Sequence, residues 1–364
     1  MNKNKKYMEL AISLAAKAGE RTYPNPMVGA VIVKNGKVVG SGYHRKAGTD
    51  HAEITAIKSA RVGLKGAEMF VTLEPCAHYG KTPPCAPEVI KCGIKKVHIA
   101  MKDPNPITAR RGIKWLESAG VSVDVGLCGE EVRRLNRKYI KFITTGIPYV
   151  TVKIAQSLDG KISARDGSSK WITSRKARNY AGKLRSSFDA IMVGLNTVLK
   201  DDPFLLGPGR KGYRTARIIV DTQLRIPFGS NIIRTARKSP VILAVTDLAP
   251  EKRIKKFAKI KGVELIILKN RDGKVPLKDL LKGLGTRDFV NILVEGGGEL
   301  VGSLLDGGFI DEWMFYMAMK VLGGANSSIK GKGAPSIEDI IRLRDVEITK
   351  IGEDILIRGL TNSA

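Results

Sequence analysis

Apolar and polar positions alternate through "MVGAVIVKNGKVVGSGY", residues 27–43. Ala30 to Val33 and Lys37 to Val39 flank Asn35-Gly36, the dipeptide that two-residue hairpin turns favour. The pattern then switches between helical and strand periods. "AEITAIKSA" is predicted as a helix, "AEMFVTLEP" as a strand, "APEVIKCG" as a helix and "KKVHIAMKDP" as a strand. "RRGIKWLESAG" is a helix stopped by Gly120, "VSVDVGL" a closing strand, and "EEVRRLNRKYIKFITTG" a helix ending at Gly146. From Tyr149 a second series begins. "YVTVKIA", "AIMVG", "ARIIVD", "VILAV", "VELIIL" and "NILVEGGG" are β-branched apolar runs separated by helical or loop segments. Such runs mark a mostly parallel sheet with crossover connections. The break falls at "TTGIPYV", which divides the chain into residues 1–145 and 146–364. No internal repeat or low-complexity tract interrupts either part.

A length of 364 residues supports this two-domain division, since single domains commonly run to roughly 100–150 residues. The apolar fraction of 43% is that of an ordinary globular protein and excludes disorder. The N-terminal "MNKNKKYMELAISLAAKAGE" imitates a signal peptide, but Ser13 interrupts its short apolar run, and Glu9 and Lys17 flank it. An amphipathic helix suits it better. No apolar run approaches the ~20 residues that span a bilayer, so the expected location is cytoplasmic, without a membrane. The four cysteines are too few for a disulfide scaffold and are expected as thiols. The net charge of +27 is divided evenly: 25 basic against 12 acidic residues in 1–145, and 37 against 23 beyond. An even spread fits a lysine-rich surface and phosphorylated small ligands better than a nucleic-acid groove.

All four histidines and all four cysteines precede residue 130, which places any soft-metal chemistry in the first part. Within it, "HAEITAIKSA" sets Glu53 two positions after His51, and "LEPCAHYGKTPPC" holds Cys76 and Cys85. Zinc takes imidazole nitrogen and thiolate sulfur, and three protein ligands leave the fourth position for a water that ionises near neutral pH. His51, Cys76 and Cys85 supply that set, and Glu53 is placed to move protons without ligating. A closed structural site, with Cys92 or His78 as fourth ligand, is the alternative. His98, Cys92 and Cys128 are read as packing residues.

Zinc deaminases carry His-x-Glu followed by Pro-Cys-x-x-Cys. Here eight residues separate the cysteines. This longer insert resembles the pyrimidine deaminase of riboflavin biosynthesis, whose sequences run "HAE" and then "TLEPCxHxGxTPPC"; "VTLEPCAHYGKTPPC" repeats that pattern in full. The resemblance continues through "YPNPMVGAVIV", "GSGYHRKAG" and "MKDPNP". It implies that Asn25, His44, Lys81 and Asn105 line the substrate pocket. For Asn25 and Asn105, each followed by proline, plain turn formation is the competing role.

In the second part, "VKIAQSLDGKIS", "SSKWITS", "LRSSFDAIMVGLNTVLKDDP" and "LVEGGGEL" together resemble the reductase half of the bifunctional riboflavin deaminase-reductase family. By itself the glycine turn of "NILVEGGGELVGSLL" is neither a Rossmann nor a Walker signature. The resemblance implies NADPH contacts at Ala155, Trp171, Thr197, Asp201, Thr222, Gly296, Gly297 and Gly298. It also implies that Ser169, Arg185, Leu205 and Glu295 hold substrate, with Arg185 forking onto a phosphate. Family members usually continue "DDPxLTxR", whereas this chain reads "DDPFLLGPGR". Leu206 and Pro208 replace the threonine and arginine, and Arg210 is the nearest arginine to take the latter's place.

The resemblance spans nearly the whole chain. It implies a cytidine-deaminase-like α/β/α domain followed by a dihydrofolate-reductase-like α/β domain, and a homo-oligomer. The implied activity is deamination of 2,5-diamino-6-(5-phosphoribosylamino)pyrimidin-4-one on one zinc ion per chain, then NADPH reduction of the ribosyl group to ribityl. Two rivals are a nucleic-acid deaminase of the tRNA type, which leaves the second domain unexplained, and a family member with an impaired reductase half.

Overall fold

The computed structural model describes residues 3–77, 83–106, 108–208 and 215–361, so Lys81 and Arg210 lie outside the described residues. The chain forms two compact units, Met1–Gly146 and Ile147–Ala364.

In the first unit α1 (Lys3–Ala16) leads to the hairpin β1 (Gly29–Lys34) and β2 (Lys37–Tyr43). Its turn has Asn35 at φ 51° and Gly36 at φ 72°, the left-handed pair that Asn-Gly supplies. Then follow α2 (Ala52–Ser59), β3 (Glu68–Leu73), α3 (Cys85–Lys91), β4 (Lys96–Met101), α4 (Arg111–Ser118), β5 (Ser122–Val125) and α5 (Gly129–Thr145). The sheet order is β2-β1-β3-β4-β5, antiparallel at β1 and parallel from β3 to β5. The N-terminal stretch is the expected helix, burying Met8, Ala11 and Ala15 against the sheet. A Cβ on Gly29 would lie 2.0 Å from the Ala11 carbonyl oxygen, so only glycine lets α1 rest on β1 this closely. Buried Asn136 of α5 holds the backbone of Met27 by both its N–H and its carbonyl, which fixes the entry to β1 just after Asn25.

The second unit opens with β6 (Tyr149–Ser157), α6 (Arg175–Leu184), β7 (Ala190–Gly194) and α7 (Leu195–Asp201). It continues through β8 (Ala216–Val220), α8 (Asn231–Arg234), β9 (Val241–Thr246), α9 (Glu251–Ala258) and β10 (Val263–Leu268). It closes with α10 (Leu277–Gly285), β11 (Asn291–Val294), α11 (Gly298–Asp306), β12 (Glu312–Ala318), β13 (Arg344–Ile351) and β14 (Asp354–Leu360). The sheet order is β10-β9-β8-β7-β11-β6-β12-β14-β13. Every pair from β10 to β12 is parallel, and the two final strands are antiparallel. Alternate side chains feed two cores: Ala190 and Met192 join one cluster, Ile191 and Val193 the other. All six expected strands are present. The sequence pattern had not distinguished β12, β13 and β14. In β13 both faces are exposed over seven of eight residues, so no burial period is imposed on its sequence.

Candidate functional sites

In the first unit, β3 and two helix starts bring the metal-ligating types together. His51 stands at the N-cap of α2, Cys76 follows the end of β3, and Cys85 is the first residue of α3. His51 Nδ1 lies 3.5 Å from Cys76 Sγ and 3.3 Å from Cys85 Sγ, and all three ligand atoms fall within 4.8 Å of one another. Four-coordinate zinc, with bonds of ~2.0 Å to nitrogen and ~2.3 Å to sulfur, requires nitrogen–sulfur separations of roughly 3.5 Å. The donors therefore fit the ion in type, number and spacing. The Cys85 N–H donates to Cys76 Sγ at 3.3 Å. Hydrogen bonding from Cys85 and His51 pulls the Cys76 thiol far down, while the same sulfur pair and burial push Cys85 up.

Glu53, in the first turn of α2, is 3% exposed. Burial, followed by the charge on Cys76, pushes its carboxyl up to about 7, a value suited to taking and returning a proton near neutral pH. The His44 ring stands edge-on to His51 with centroids 5.2 Å apart, and His44 Nε2 is 3.2 Å from Asn25 Nδ2. Burial lowers the His44 pKa. Asn105 occupies the loop after β4, where its N–H donates to Asp103 Oδ1. His98 is a buried packing residue whose ring stacks on Phe70 at 4.3 Å. Cys92 and Cys128 border the core.

In the second unit several of the expected residues lie at or just beyond the carboxyl ends of parallel strands: Ala155 near the end of β6, Thr197 in α7 after β7, Thr222 after β8, and Gly296, Gly297 and Gly298 after β11. Open α/β sheets bind ligands at such ends. Gly297 caps α11, and a Cβ there would meet only Thr197 Oγ1, at 4.0 Å. By contrast, a Cβ on Gly296 or Gly298 would come within 3.0 Å of Leu300 or of the Ser327 carbonyl oxygen. The turn thus packs tightly on one side and opens at a helix N-terminus on the other, a cradle that fits a dinucleotide phosphate. Thr222 follows β8, and Ala155 sits on β6 opposite Tyr316 of β12. Trp171 is 64% exposed, with the Arg178 guanidinium 4.1 Å from its ring centre, which excludes the core-aromatic role. Half-buried Ser169 lies two residues before it, and the intervening Lys170 reaches Asp201 Oδ1 at 3.7 Å.

Two of the expected substrate residues have settings within the chain that bear on their roles. Arg185 Nε and Nη2 donate to the two carboxylate oxygens of Glu295 at 2.7 and 3.0 Å. Glu295 directly follows β11. Leu205 has φ +51°, and its side chain lies in the core, so its backbone is the part available to a ligand. The fully buried Arg217 of β8 holds this loop by donating to the Phe204 carbonyl, while also bonding Thr235 and Ser239. Lys153 of β6, one lysine among many in the sequence and without a motif around it, joins the Arg185–Glu295 pair. Its Nζ lies 3.7 Å from Glu295 Oε2 and 5.5 Å from the Tyr316 ring centre. Burial opposes the Glu295 charge, yet Lys153 and Arg185 outweigh it and hold the carboxyl below the usual range.

Residues 1–101 match the cytidine and deoxycytidylate deaminase zinc-binding region, and residues 148–357 match the RibD C-terminal domain. The riboflavin biosynthesis protein RibD of Aquifex aeolicus is 43% identical over 357 residues, 97% of each chain. Two solved structures superpose on 99% of both chains. Acinetobacter baumannii RibD (form 1) gives a TM-score of 0.85 at 34% identity. A diaminohydroxyphosphoribosylaminopyrimidine deaminase/5-amino-6-(5-phosphoribosylamino)uracil reductase from Thermotoga maritima gives 0.82 at 32%. With a zinc-fitting His-Cys-Cys cluster in one unit and a dinucleotide cradle in the other, the chain belongs to the RibD family of bifunctional deaminase-reductases of riboflavin biosynthesis.

Proposed function

We propose that residues 1–145 deaminate a phosphoribosylated 2,5-diaminopyrimidinone and that residues 146–364 reduce the ribosyl group of the product. The observation that carries the first step is the convergence of His51, Cys76 and Cys85 beside buried Glu53. Bound zinc supplies a Lewis acid that makes water a nucleophile near neutral pH. Glu53 accepts a proton from the attacking water and gives it to the ring nitrogen; it then takes the second proton, from the hydroxyl added to the ring carbon, and gives it to the amino group, which leaves as ammonia as the carbonyl forms. Asn25 and His44 hold the pyrimidine edge from one side of the pocket, Asn105 from another, and Lys81 takes the phosphate.

For the second step NADPH supplies the hydride that reduces C1′. Gly296, Gly297 and Gly298 with Thr197 would hold its pyrophosphate, and Trp171, Asp201, Thr222 and Ala155 its remainder. Glu295, clamped by Arg185 and Lys153, bonds the sugar or ring, with Ser169, Arg210 and the Leu205 backbone completing the substrate contacts. The purified chain should hold about one zinc, release ammonia from the diaminopyrimidine ribotide, and oxidise NADPH on the deaminated product. Stripping the metal with a chelator should stop ammonia release and spare NADPH oxidation. Ammonia release from metal-free protein would refute the zinc assignment.

The substrates are small molecules, not nucleic acid, and the setting is the cytoplasm. Among the described residues no helix is long and apolar enough to cross a membrane. The chain also acts as a homo-oligomer. What supports this is the open edge strand β13, with Val346 and Ile348 50% and 70% exposed; a second copy closes such an edge symmetrically. Light scattering should give a multiple of the chain mass of 39.6 kDa, reduced by Ile348→Asp. A wild-type mass of one chain would exclude it.

A further inference from the structure

Glu74 stands between β3 and Cys76, and its side chain has no part in the chemistry above. It is 5% exposed, and its carboxylate is met by backbone. Oε2 accepts from the N–H of Asp103 at 3.2 Å and of Arg110 at 3.1 Å; Oε1 accepts from Gly112 at 3.0 Å and Ile113 at 3.2 Å. Gly112 and Ile113 belong to the first turns of α4, whose positive end favours a carboxylate. Asp103 and Arg110 bracket the loop that carries Asn105. Inside that loop Asp103 Oδ1 accepts the Asn105 N–H at 3.0 Å, and Asp103 Oδ2 accepts the Thr108 hydroxyl at 2.5 Å. The same corner is braced sterically, because a Cβ on Gly112 would fall 1.9 Å from the Pro75 carbonyl oxygen. The start of α4 therefore rests on the peptide that leads into Cys76. One buried side chain ties the Asn105 loop to the segment that supplies a metal ligand two residues later.

We propose that Glu74 is a positioning residue for the deamination. Its carboxylate sets the loop bearing Asn105 at a fixed distance from the Cys76 turn, so that pyrimidine and metal meet in register. The inference rests on Asn105 contacting the substrate. A glutamine at 74 keeps the shape but sets an amide donor against two backbone donors, leaving buried N–H groups unpaired.

On the full zinc-loaded chain, Glu74→Gln should raise the deaminase KM about tenfold or more, the scale of unpaired buried donors, and change kcat less than about threefold. Zinc should stay at one per chain, and NADPH oxidation on supplied deaminated product should be unchanged. Asn105→Ala should raise KM alone, and the double variant should be little worse than either single one. Glu74→Asp keeps both acceptor oxygens one methylene back. It should fold where Glu74→Gln does not, with a smaller rise in KM and zinc kept. An unmoved KM in both Glu74 variants, beside a raised one in Asn105→Ala, overturns the inference alone. An unmoved KM in Asn105→Ala removes the Asn105 contact and the inference with it. Loss of zinc in the Glu74 variants makes the residue a prop for the ligand turn and also overturns it.

Discussion

Glu53→Gln should lower ammonia release by a factor on the order of 10³ to 10⁴, the upper range for a general acid-base group, without loss of zinc. The substitution is nearly isosteric, so the 3% exposed site keeps its packing and the three metal-ligating side chains are untouched. What disappears is the ability to take a proton. In wild type, burial and the Cys76 charge push that carboxyl up to about 7, where it exchanges a proton readily at the pH of the cell. An amide has no such exchange. NADPH oxidation on supplied deaminated product should proceed at the wild-type rate, which also serves as a check on folding. If ammonia release survives the substitution, the proton passes through some other group and the role given to Glu53 is wrong.

Arg185→Met should give the largest loss in the other activity. Glu295 is 9% exposed at its side chain, and its two oxygens are held by the Arg185 fork, with Lys153 Nζ at 3.7 Å as the other cation against it among the described residues. Removing one partner of a buried pair leaves charge uncompensated and commonly costs ~3–5 kcal/mol. Part of that appears as lost stability of the second unit. Part appears as a disordered Glu295, so kcat/KM for reduction should fall by roughly 10² to 10³ if ~3–4 kcal/mol is felt at the reacting geometry. Arg185→Lys should recover little, since an ammonium cannot reproduce a planar two-point contact. Ammonia release should be unaffected. NADPH oxidation at the wild-type rate in Arg185→Met would separate the ion pair from the reaction.

The deaminase half is legible in the chain because its chemistry is local. His51 and Glu53 stand together at one helix start, and Cys76 and Cys85 are close in sequence, so both pairs can be seen in the chain, although His51 meets cysteines 25 and 34 positions away only through the fold. The reductase half resists such reading. Arg185 and Glu295 are 110 positions apart and meet only because β11 inserts beside β7, a pairing no local pattern announces. Leu205 shows the limit of carrying a role by residue type, since the side chain that names it is in the core. Glu74 went unnoticed for a different reason: its partners are backbone N–H groups, which leave no trace in sequence. The missed strand β13 follows from exposure, because a strand with both faces open has no period to read.

The strand order of the second unit also governs how the molecule is made. β6 is the first strand of that sheet in the chain, yet its neighbours are β11 and β12, which begin at Asn291 and Glu312. As the chain leaves the ribosome, β7 to β10 can zip together in turn, while β6 waits with both edges open for some 130 residues of synthesis. The first unit, with its pairings drawn from neighbouring segments, is complete well before then. Long-range parallel closure of this kind is slow and exposes apolar strand to aggregation. The nascent enzyme should therefore gain its deaminase fold early and depend on chaperones chiefly until β11 slots between β7 and β6.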